Sequence, residues 1–569
     1  MVGSVRLDNA DQLRKDLQLA PDTADIEIVL RAYARNGSPA LWDGIFGEFA
    51  IAIWDPRLHS LFCCTDRLGI RPLYYRMVVD RFHFASHQDF LVEPRTAEEA
   101  IDPARVALFL AGCDYFRHSR STCFKNVLCV RPGHFVALTE GRWQETRYWF
   151  PERLKKDRLG SLKAYSAAFK GNLEEAVRSR LPSSGTVWFD ASGGIDSTSL
   201  IYLAHAELSK TQCSASERMV CRTIVPASAP EFSEIEYVEA ALAPLRLEPE
   251  LESFEDLPPI SELASADLPG GGELALGSIA LLETRRLCDR ILKTGARVHL
   301  TGHGADHLLG APSLLYIRSL IYRGSWSRAA GDLKAWATAS GLPYSSLLLQ
   351  WILLPRTRRP GGPAKSATPS WAKPGPASST HADFEPLPIA RLSDAADREW
   401  LAHVLHGAAV LRTIANLSEQ FGVEKSFPYA DIRLIELLLS MPAEERSHPP
   451  LPKWLLREAM TGVVPEKIRL KSSQPTGDAA LILRMRRDRG ALWSIVSRPL
   501  LAEFGLIEVS QLQIAFDRIM QGDNHEITQF VRFLVTEFWL RRICRQRTEP
   551  VGHGNRCFDV NSAPALPGK

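Results

Sequence analysis

The chain has 569 residues, more than one hydrophobic core usually supports, so we expect two or more domains. Its formal net charge of +2 lacks the clustered basic excess that is typical of proteins binding nucleic acids or membrane surfaces. The N-terminus carries no charged-then-apolar signal segment, and no run approaches the roughly 20 apolar residues of a membrane span. We therefore expect a cytoplasmic protein with no membrane span and no nucleic-acid partner.

The ten cysteines have no regular spacing and include no C-x-x-C pair. Cys63 and Cys64 are adjacent, which suits neither a zinc site nor a redox pair. We expect reduced cysteines with a structural role.

Short alternating strands are predicted in the first part of the chain. The dipeptides Asp55-Pro56 and Leu68-Gly69 separate apolar stretches at 46–54, 61–64 and 72–75. We therefore predict a β-rich domain over residues 1–150, followed by a charged linker over residues 151–160.

After the linker, apolar residues recur every three or four positions from 162 to 181, which predicts a helix. Apolar runs at 187–190, 219–225 and 297–300 then alternate with predicted helices at about 197–208 and 232–242. Ser233 and Glu236 open the second of these helices at capping-box spacing. This alternation predicts a parallel sheet covered on both faces. The second domain is expected over residues 161–547, and from about residue 395 its pattern is wholly helical.

Two segments are predicted to lack stable structure. Residues 355–388 are dense in Pro, Gly, Ser and basic residues, and we expect a mobile loop there. Residues 548–569 are expected to form a disordered tail.

A glycine-rich turn, Ser192-Gly193-Gly194-Ile195-Asp196-Ser197, follows the first strand of the second domain. Glycines let the backbone approach an oxyanion, and the helix N-terminus that follows offers free N–H groups and a positive dipole. Ser192 and Ser197 add hydroxyl donors. Asp196 beside an anion requires a cation, which we expect to be Mg²⁺. The alternative is a plain strand-to-helix turn, and the absence of G-x-x-x-x-G-K-[ST] excludes an ordinary P-loop.

A second glycine turn, Thr301-Gly302-His303-Gly304-Ala305-Asp306-His307, follows the third strand. Because ligands gather at the C-terminal ends of parallel strands, both turns are expected at one sheet edge. Asp196 and Asp306 would then hold metal ions against a nucleotide triphosphate. His303 and His307 could instead form a zinc pair, although no third ligand lies nearby in the sequence.

These two turns resemble the pyrophosphatase loop and the second loop of the asparagine synthetase superfamily, whose members adenylate a carboxylate. Two later segments are also similar to motifs of that family: Phe427-Pro-Tyr-Ala-Asp-Ile-Arg-Leu-Ile-Glu436, and Lys453-Trp-Leu-Leu-Arg457 followed by Arg469-Leu-Lys471. Residues 41–55 and 66–75 resemble the glutaminase-like domain that precedes the synthetase. The implied fold class is α/β with α+β: a degenerate, Ntn-type glutaminase-like β-rich domain, then an adenine-nucleotide α-hydrolase-like parallel α/β domain with a helical C-terminal part.

The first domain departs from the glutamine-dependent members, which use an N-terminal cysteine as nucleophile. Residue 2 is Val2, and residues 3–9 do not keep the family's glutamine-holding stretch. Without a thiolate no thioester can form, so we expect a structural relic whose start is truncated or whose early strands are lost.

His303 is the second departure. Asparagine synthetases carry an acidic residue at this position and β-lactam synthetases a tyrosine. The sequence G-H-G-x-D-H is instead similar to lasso-peptide macrolactam synthetases, which join a peptide's N-terminal amine to an Asp or Glu side chain. The implied partners are a precursor peptide, a leader protease and a leader-recognition protein.

The resemblance implies two steps that use ATP and Mg²⁺: adenylation of a carboxylate, then attack by an amine. The nucleotide would bind to Ser192, Gly193, Gly194, Asp196, Ser197 and Gly302, and the metal to Asp196 and Asp306. Lys471 would stabilise the anionic transition states, His303 would accept the proton of the amine, and Glu424 would orient either His303 or the amine.

Four alternatives remain open. They are a small-molecule amide or β-lactam synthetase, an ammonia-dependent asparagine synthetase, an inactive scaffold that binds nucleotide or peptide, and a tRNA-modifying pyrophosphatase. The last lacks support because the chain has no basic excess and no catalytic cysteine pair.

Overall fold

The structure is a computed structural model that describes residues 1–37, 40–79, 81–92, 97–112, 120–157, 159–210, 214–226, 233–266, 273–310, 314–348, 369–373, 391–449, 452–471, 477–523 and 525–548. Within these ranges no helix combines the length and apolar character needed to cross a membrane. Every cysteine described is a free thiol, as expected.

Two antiparallel sheets form the N-terminal part, which confirms its predicted β-rich character. Its strands are β1 (Val2–Leu7), β2 (Gly47–Asp55), β3 (Ser60–Thr65), β4 (Tyr74–Val78), β5 (Arg81–Ala85), β6 (Leu128–Cys129), β7 (His134–Thr139) and β8 (Arg142–Arg147). The first sheet has the order β1-β2-β3-β7-β8, and the second has the order β5-β4-β6. The accompanying helices are α1 (Ala10–Asp16), α2 (Asp25–Asn36), α3 (Ala40–Gly44), α4 (Ala97–Ala100) and α5 (Pro103–Leu110).

Both faces of strand β2 are buried. Alternate residues of a strand point to opposite sides, so the two faces pack against different neighbours. Ala50 and Ala52 pack between the two sheets, in a cluster that also contains Tyr75. Phe49 and Ile51 face a larger core that includes α2.

The second part contains a parallel sheet, as predicted. Its strands are β9 (Val187–Asp190), β10 (Met219–Val225), β11 (Pro249–Ser253), β12 (Val298–Leu300) and β13 (Glu424–Ser426). The order is β11-β10-β9-β12-β13, and every neighbouring pair is parallel. The chain moves from β9 to one side of the sheet and then returns to place β12 on the other side of β9. The strand order therefore reverses between β9 and β12, which is where open parallel sheets bind their ligands.

Helices cover the parallel sheet and build the C-terminal part. They are α6 (Leu162–Arg178), α7 (Ile195–Leu208), α8 (Ala215–Arg218), α9 (Ile235–Leu242), α10 (Leu281–Lys293), α11 (Ala305–Leu309), α12 (Leu315–Tyr322), α13 (Trp326–Ser340), α14 (Tyr344–Leu347), α15 (Ala395–Gln420), α16 (Ile432–Ser440), α17 (Ala443–Arg446), α18 (Trp454–Ala459), α19 (Glu466–Arg469), α20 (Gly477–Arg487), α21 (Arg489–Ser497), α22 (Val509–Gln521) and α23 (Ile527–Thr548).

One hydrophobic core connects the two parts. Phe49 and Phe62 of the first sheet belong to the same buried cluster as Phe169 of α6 and Phe189 of β9. The opposite face of the parallel sheet packs against α10 through Trp188. The β-rich part is therefore a packing partner of the parallel sheet, not an appendage.

Buried charges also join the two parts. The Arg180 guanidinium, whose side chain is 1% exposed, lies 2.9 Å from Asp8 and 3.0 Å from Asp431. Burial alone would raise the pKa of Asp8, but Arg180 and Arg6 outweigh it and hold that pKa well below its usual range.

The structure corrects several predictions. Strand β13 interrupts the region that was predicted to be wholly helical. Helix α9 begins at Ile235, and Glu236 pairs with Lys467 of α19 instead of completing a capping box. Inside the predicted mobile loop, residues 369–373 are held in place, with Trp371 fully buried and its carbonyl accepting from the Glu508 N–H. The rest of that loop, and the predicted tail after residue 548, lie outside the described residues.

Candidate active site

The turns that follow β9 and β12 lie against each other. A Cβ atom on Gly302 would come within 3.1 Å of the Ser197 nitrogen and 3.2 Å of the Asp196 Cβ. A side chain at position 302 would therefore push the two turns apart by a few tenths of an ångström. Beneath them, Asp190 at the end of β9 lies 3.2 Å from His299 of β12 and 3.4 Å from Arg222 of β10. These pairs tie together the strand ends that carry the site.

The first turn has the form of an anion cradle. Gly193 has a φ of +66°, and a Cβ there would lie 2.8 Å from the Tyr237 Cβ, so both conformation and space require glycine. Gly194 is the N-cap of α7, and it has no side chain to cap the first N–H groups of that helix. Its own N–H donates to the Ser192 hydroxyl at 3.4 Å. The hydroxyls of Ser192 and Ser197 lie 2.9 Å apart. The uncapped first N–H groups of α7 and the two hydroxyl groups thus converge where a phosphate group could bind.

The two carboxylates predicted to bind metal share one cation, the ammonium of Lys453. Its Nζ lies 2.5 Å from Asp196 Oδ2 and 2.6 Å from Asp306 Oδ1. Burial opposes the charge on Lys453, but the two carboxylates outweigh it and raise the pKa of the ammonium. Burial raises the pKa of Asp196, and Lys453 offsets part of that effect. The sequence motif contained Lys453, but it gave this residue no role.

The carboxylates fit a magnesium ion better than a zinc ion. Asp196 Oδ1 is buried and has no hydrogen-bond partner, which leaves one oxygen available as a ligand. Mg²⁺ characteristically takes one or two protein carboxylates and completes its shell with phosphates and water. Within the described ranges, no group of three or more His, Cys, Asp or Glu side chains is placed to hold a metal ion. The donor set therefore suits Mg²⁺ bound together with phosphates.

His303 lies in the second turn, where its Nδ1 is 2.5 Å from the Thr301 hydroxyl. The side chain keeps access to solvent, yet the surrounding protein, with a smaller contribution from Lys425, lowers its pKa to about 4. His303 is consequently neutral at pH 7. It is also a weaker base than an ordinary histidine, because base strength falls with pKa.

His307 does not join His303 in a metal site. Its ring packs against those of His403 and His406 on α15, with centroids 4.9 and 5.8 Å away. A Cβ on Gly407 would overlap the His307 ring, so this glycine provides the space that the ring occupies. Helix α11, which carries Asp306, is thereby fixed against α15.

Lys471 lies on another side of the first turn. Its ammonium pairs with Glu234 and lies 4.1 Å from the centre of the Tyr237 ring, the residue that packs on Gly193. Arg457 holds the segment in place by donating to the Lys471 carbonyl at 2.9 Å. The structure therefore places Lys471 beside the phosphate cradle. Glu234 and Tyr237 were not identified from the sequence, because no motif includes them.

Glu424 does not pair with His303. It is the first residue of β13, in register with Val298, whereas the site follows the last residues of the strands. Its carboxylate lies 3.3 Å from Arg6 Nε and 3.7 Å from Arg71, both in the N-terminal part. The ion pairs of its carboxylate are thus with the N-terminal part, away from the turns that form the site.

Tyr429 is a site residue that the sequence analysis missed. Its hydroxyl donates to the Asp196 carbonyl at 3.0 Å. Tyr429 belongs to the quoted segment at 427–436, and its role could not be read because 233 positions separate the two residues.

Comparison with known proteins agrees with this architecture. Residues 168–541 match the asparagine synthase family, and residues 6–149 match a glutamine amidotransferase domain. The amidase chry2 of Gibberella zeae is 28% identical over 53% of this chain and 46% of its own length. The amidase chyE of Penicillium rubens is 28% identical over 53% of this chain and 45% of its own length.

Glutamine-hydrolyzing asparagine synthetase 1 of Bacillus subtilis is 25% identical over 81% of this chain and 72% of its own length. The chain spans about half the length of the two amidases. A glutamine amidotransferase-like β-rich domain precedes a parallel α/β synthetase domain with a helical C-terminal part, and the chain belongs to the asparagine synthase family.

Proposed function

We propose that this chain activates a carboxylate with ATP and transfers the acyl group to an amine. The observation that carries the proposal is the contact of one ammonium, that of Lys453, with both Asp196 and Asp306. Two carboxylates and a phosphate cradle at a single sheet edge suit a nucleotide triphosphate with its metal.

The proposed reaction has two steps, adenylation of the carboxylate and formation of the amide. A carboxylate oxygen attacks the α-phosphorus of ATP, the α–β bridging bond breaks, and pyrophosphate leaves. The nitrogen of an amine then attacks the acyl carbon, the bond to AMP breaks, and the amine gives up one proton. Bound Mg²⁺ would neutralise charge on the phosphates. Ser192, Ser197 and the first N–H groups of α7 would hold pyrophosphate, while Lys471 would stabilise the negative charge that develops in both steps.

The buried cysteines of the N-terminal part support the proposal that the attacking amine belongs to the substrate and is not ammonia released from glutamine. The cysteines described there (Cys63, Cys64, Cys123 and Cys129) are buried. Burial raises the pKa of Cys129 to about 12. Burial also raises the pKa of the Cys63 and Cys64 thiols. A thiol must ionise to attack glutamine, so Cys63, Cys64 and Cys129 do not supply a nucleophile.

We propose more specifically that the amide bond closes a peptide ring, as in the lasso-type macrolactam synthetases. The acid would be an Asp or Glu side chain, and the amine the N-terminus of the same peptide after removal of a leader. His303 supports this candidate, because a neutral ring beside Asp306 can accept a hydrogen bond from a primary amine without adding charge. Asparagine formation from aspartate and ammonia is the second candidate, supported by the family to which the chain belongs.

Mass spectrometry separates these candidates. The full-length protein is incubated with ATP, Mg²⁺ and either peptides with a free N-terminus and an internal Asp or Glu, or aspartate with ammonium. A peptide that has lost one water, formed together with AMP, is the expected product. Asparagine without cyclised peptide would overturn ring closure but leave amide synthesis intact.

If neither substrate set yields AMP or pyrophosphate, both candidates are wrong, and the alternatives are a synthetase for another acid and amine or a scaffold that binds nucleotide or peptide. The Asp306→Asn variant is the negative control and should yield no product. Asp22→Asn, at an exposed position far along the chain from both turns, should retain full activity.

A further inference from the structure

Lys453 stands at the centre of the site without a role in the two steps above. Its side chain is 6% exposed, and it is contributed by the segment just before α18, while its two partners come from the turns after β9 and β12. No other cation is recorded within ion-pair distance of either Asp196 or Asp306 among the described residues. Three separate segments thus converge on one ammonium.

The backbone of Lys453 is strained. Its φ of 58° and ψ of 27° are left-handed values that side-chain-bearing residues rarely adopt. Lys453 is the N-cap of α18, yet its side chain makes no capping hydrogen bond. Neighbouring contacts hold the segment, with Arg457 Nε donating to the Pro452 carbonyl at 2.9 Å. Strain of this kind persists where the surrounding structure enforces it, typically at functional sites.

We propose that Lys453 is the resident counterion of the metal site: it holds Asp196 and Asp306 together before nucleotide binds, and it prevents the metal from binding alone. This inference rests on the proposed function, since it assigns a positioning role within the same site.

The physical reason is competition between cations. An ammonium and a divalent cation repel each other strongly at contact distance, and both would use the same two carboxylates. Two carboxylates and one ammonium leave a single negative charge, which attracts a divalent ion weakly. A triphosphate changes this balance, because its oxygens give the Lys453 ammonium new acceptors and supply the remaining ligands of the metal. The metal therefore enters with the nucleotide and not before it.

The test measures Mn²⁺ binding to the full-length protein without nucleotide, by the loss of the electron paramagnetic resonance signal of free Mn²⁺. Lys453→Met removes the ammonium. Lys453→Gly removes it too, and glycine also accepts the left-handed backbone, so at least one variant is expected to fold. Both should bind Mn²⁺ about tenfold or more tightly than the wild type does.

Two controls separate charge from structure. Lys453→Arg keeps a cation and should bind Mn²⁺ as weakly as the wild type. Lys210→Met removes a lysine that is 70% exposed and pairs with Glu207, and it should leave the Mn²⁺ affinity unchanged. With ATP present, the amount of Mn²⁺ that stays with the protein after removal of free Mn²⁺ and free Mn²⁺–ATP should be the same in the wild type and the two charge-removing variants.

Equal Mn²⁺ affinities in the wild type, Lys453→Met and Lys453→Gly, including no binding in any of them, would overturn the inference. A merely structural role would lower the melting temperature of the variants without raising their affinity, which also overturns it. The assay involves no turnover. If the wild type releases no pyrophosphate but the affinities still differ, adenylation is refuted and the counterion role of Lys453 stands.

Discussion

At the scale of single residues, His303 is shaped by its surroundings. Desolvation by the surrounding protein and nearby positive charge lower its pKa to about 4, so the ring carries no charge across the neutral range. Its Nδ1 is engaged with Thr301, which leaves Nε2 as the nitrogen that can face a substrate amine. We therefore predict that the amide-forming step of the proposed reaction depends on His303 more than adenylation does.

His303→Ala should lower the rate of amide formation by about 100-fold, the scale of one proton-transfer group. Carboxylate-dependent exchange of pyrophosphate into ATP should fall less than tenfold, because His303 does not contact the phosphates in this scheme. Both rates can be measured on one preparation. His525→Ala, at an exposed position, is the matched control. Equal losses in the two assays would rule out a role confined to the amide step.

The pH dependence checks the same assignment. His303 gains a proton only as pH falls toward 4, so its contribution to the amide step should be lost there and not near pH 6.5. An acidic limb near 6.5 that disappears in His303→Gln would contradict the lowered pKa.

The sequence predicted the location of site residues that directly follow a recognisable strand. It did not predict contacts between residues that are far apart in the chain. Asp196 and Asp306 were placed at one edge because each follows a strand of the same sheet. Lys453 was missed because 257 positions separate it from Asp196, and no local pattern encodes that contact. Glu424 was misplaced because its position next to a motif does not determine which way its side chain points.

At the scale of elements, the central strands were predictable and the edge strands were not. Strands β9, β10 and β12 are largely buried, and they read as apolar runs. The missed strands, β11 and β13, are the two edges of the parallel sheet. Their sequences, PELES and EKS, are mostly polar because an edge is partly exposed. A search for apolar runs therefore finds the middle of such a sheet and not its borders.

Helix α15 shows how packing can override helix propensity. Gly407→Ala would improve helix propensity, but its Cβ would overlap the His307 ring and displace the helix that carries Asp306. We expect a net loss of about 1–3 kcal/mol in the free energy of unfolding, measured by chemical denaturation.

Gly171→Ala provides the comparison for that variant. Gly171 lies in helix α6 with open space around the position of a Cβ, so alanine there should stabilise by about 0.5–1 kcal/mol. If the free energy of unfolding of Gly407→Ala equals that of Gly171→Ala, the His307 ring does not fill the space beside Gly407.

At the scale of the whole molecule, buried ion pairs connect the domains. Arg180→Met leaves Asp8 and Asp431 without their shared partner in a site that water does not reach. Asp8 keeps its pair with Arg6 and Asp431 its pair with Arg433, so the loss should be about 2–3 kcal/mol, below the cost of a buried pair broken completely, and should appear as a lower midpoint of chemical denaturation. Arg178→Met, two residues away and 40% exposed, should cost less than about 1 kcal/mol. Similar losses in the two variants would mean that the Arg180 cluster does not hold the domains together.

The same cluster makes stability sensitive to acid. The folded-state pKa of Asp8 lies below its unfolded value, so its contribution is complete above about pH 4 and is lost as pH falls below that value. Denaturation midpoints at pH 5 and pH 3 should therefore differ more in the wild type than in Arg180→Met. An equal difference in both proteins would remove Asp8 from the explanation.

The proposed reaction requires both glycine turns to act together on one nucleotide triphosphate. The most direct measurement is carboxylate-dependent exchange of labelled pyrophosphate into ATP by the wild type, Asp196→Asn and Asp306→Asn. We expect the wild type to exchange pyrophosphate into ATP. The exchange rate should fall by about 100-fold or more in each variant, because each variant removes one of the two carboxylates expected to hold the metal. Exchange at the wild-type rate in either variant would contradict the proposed reaction.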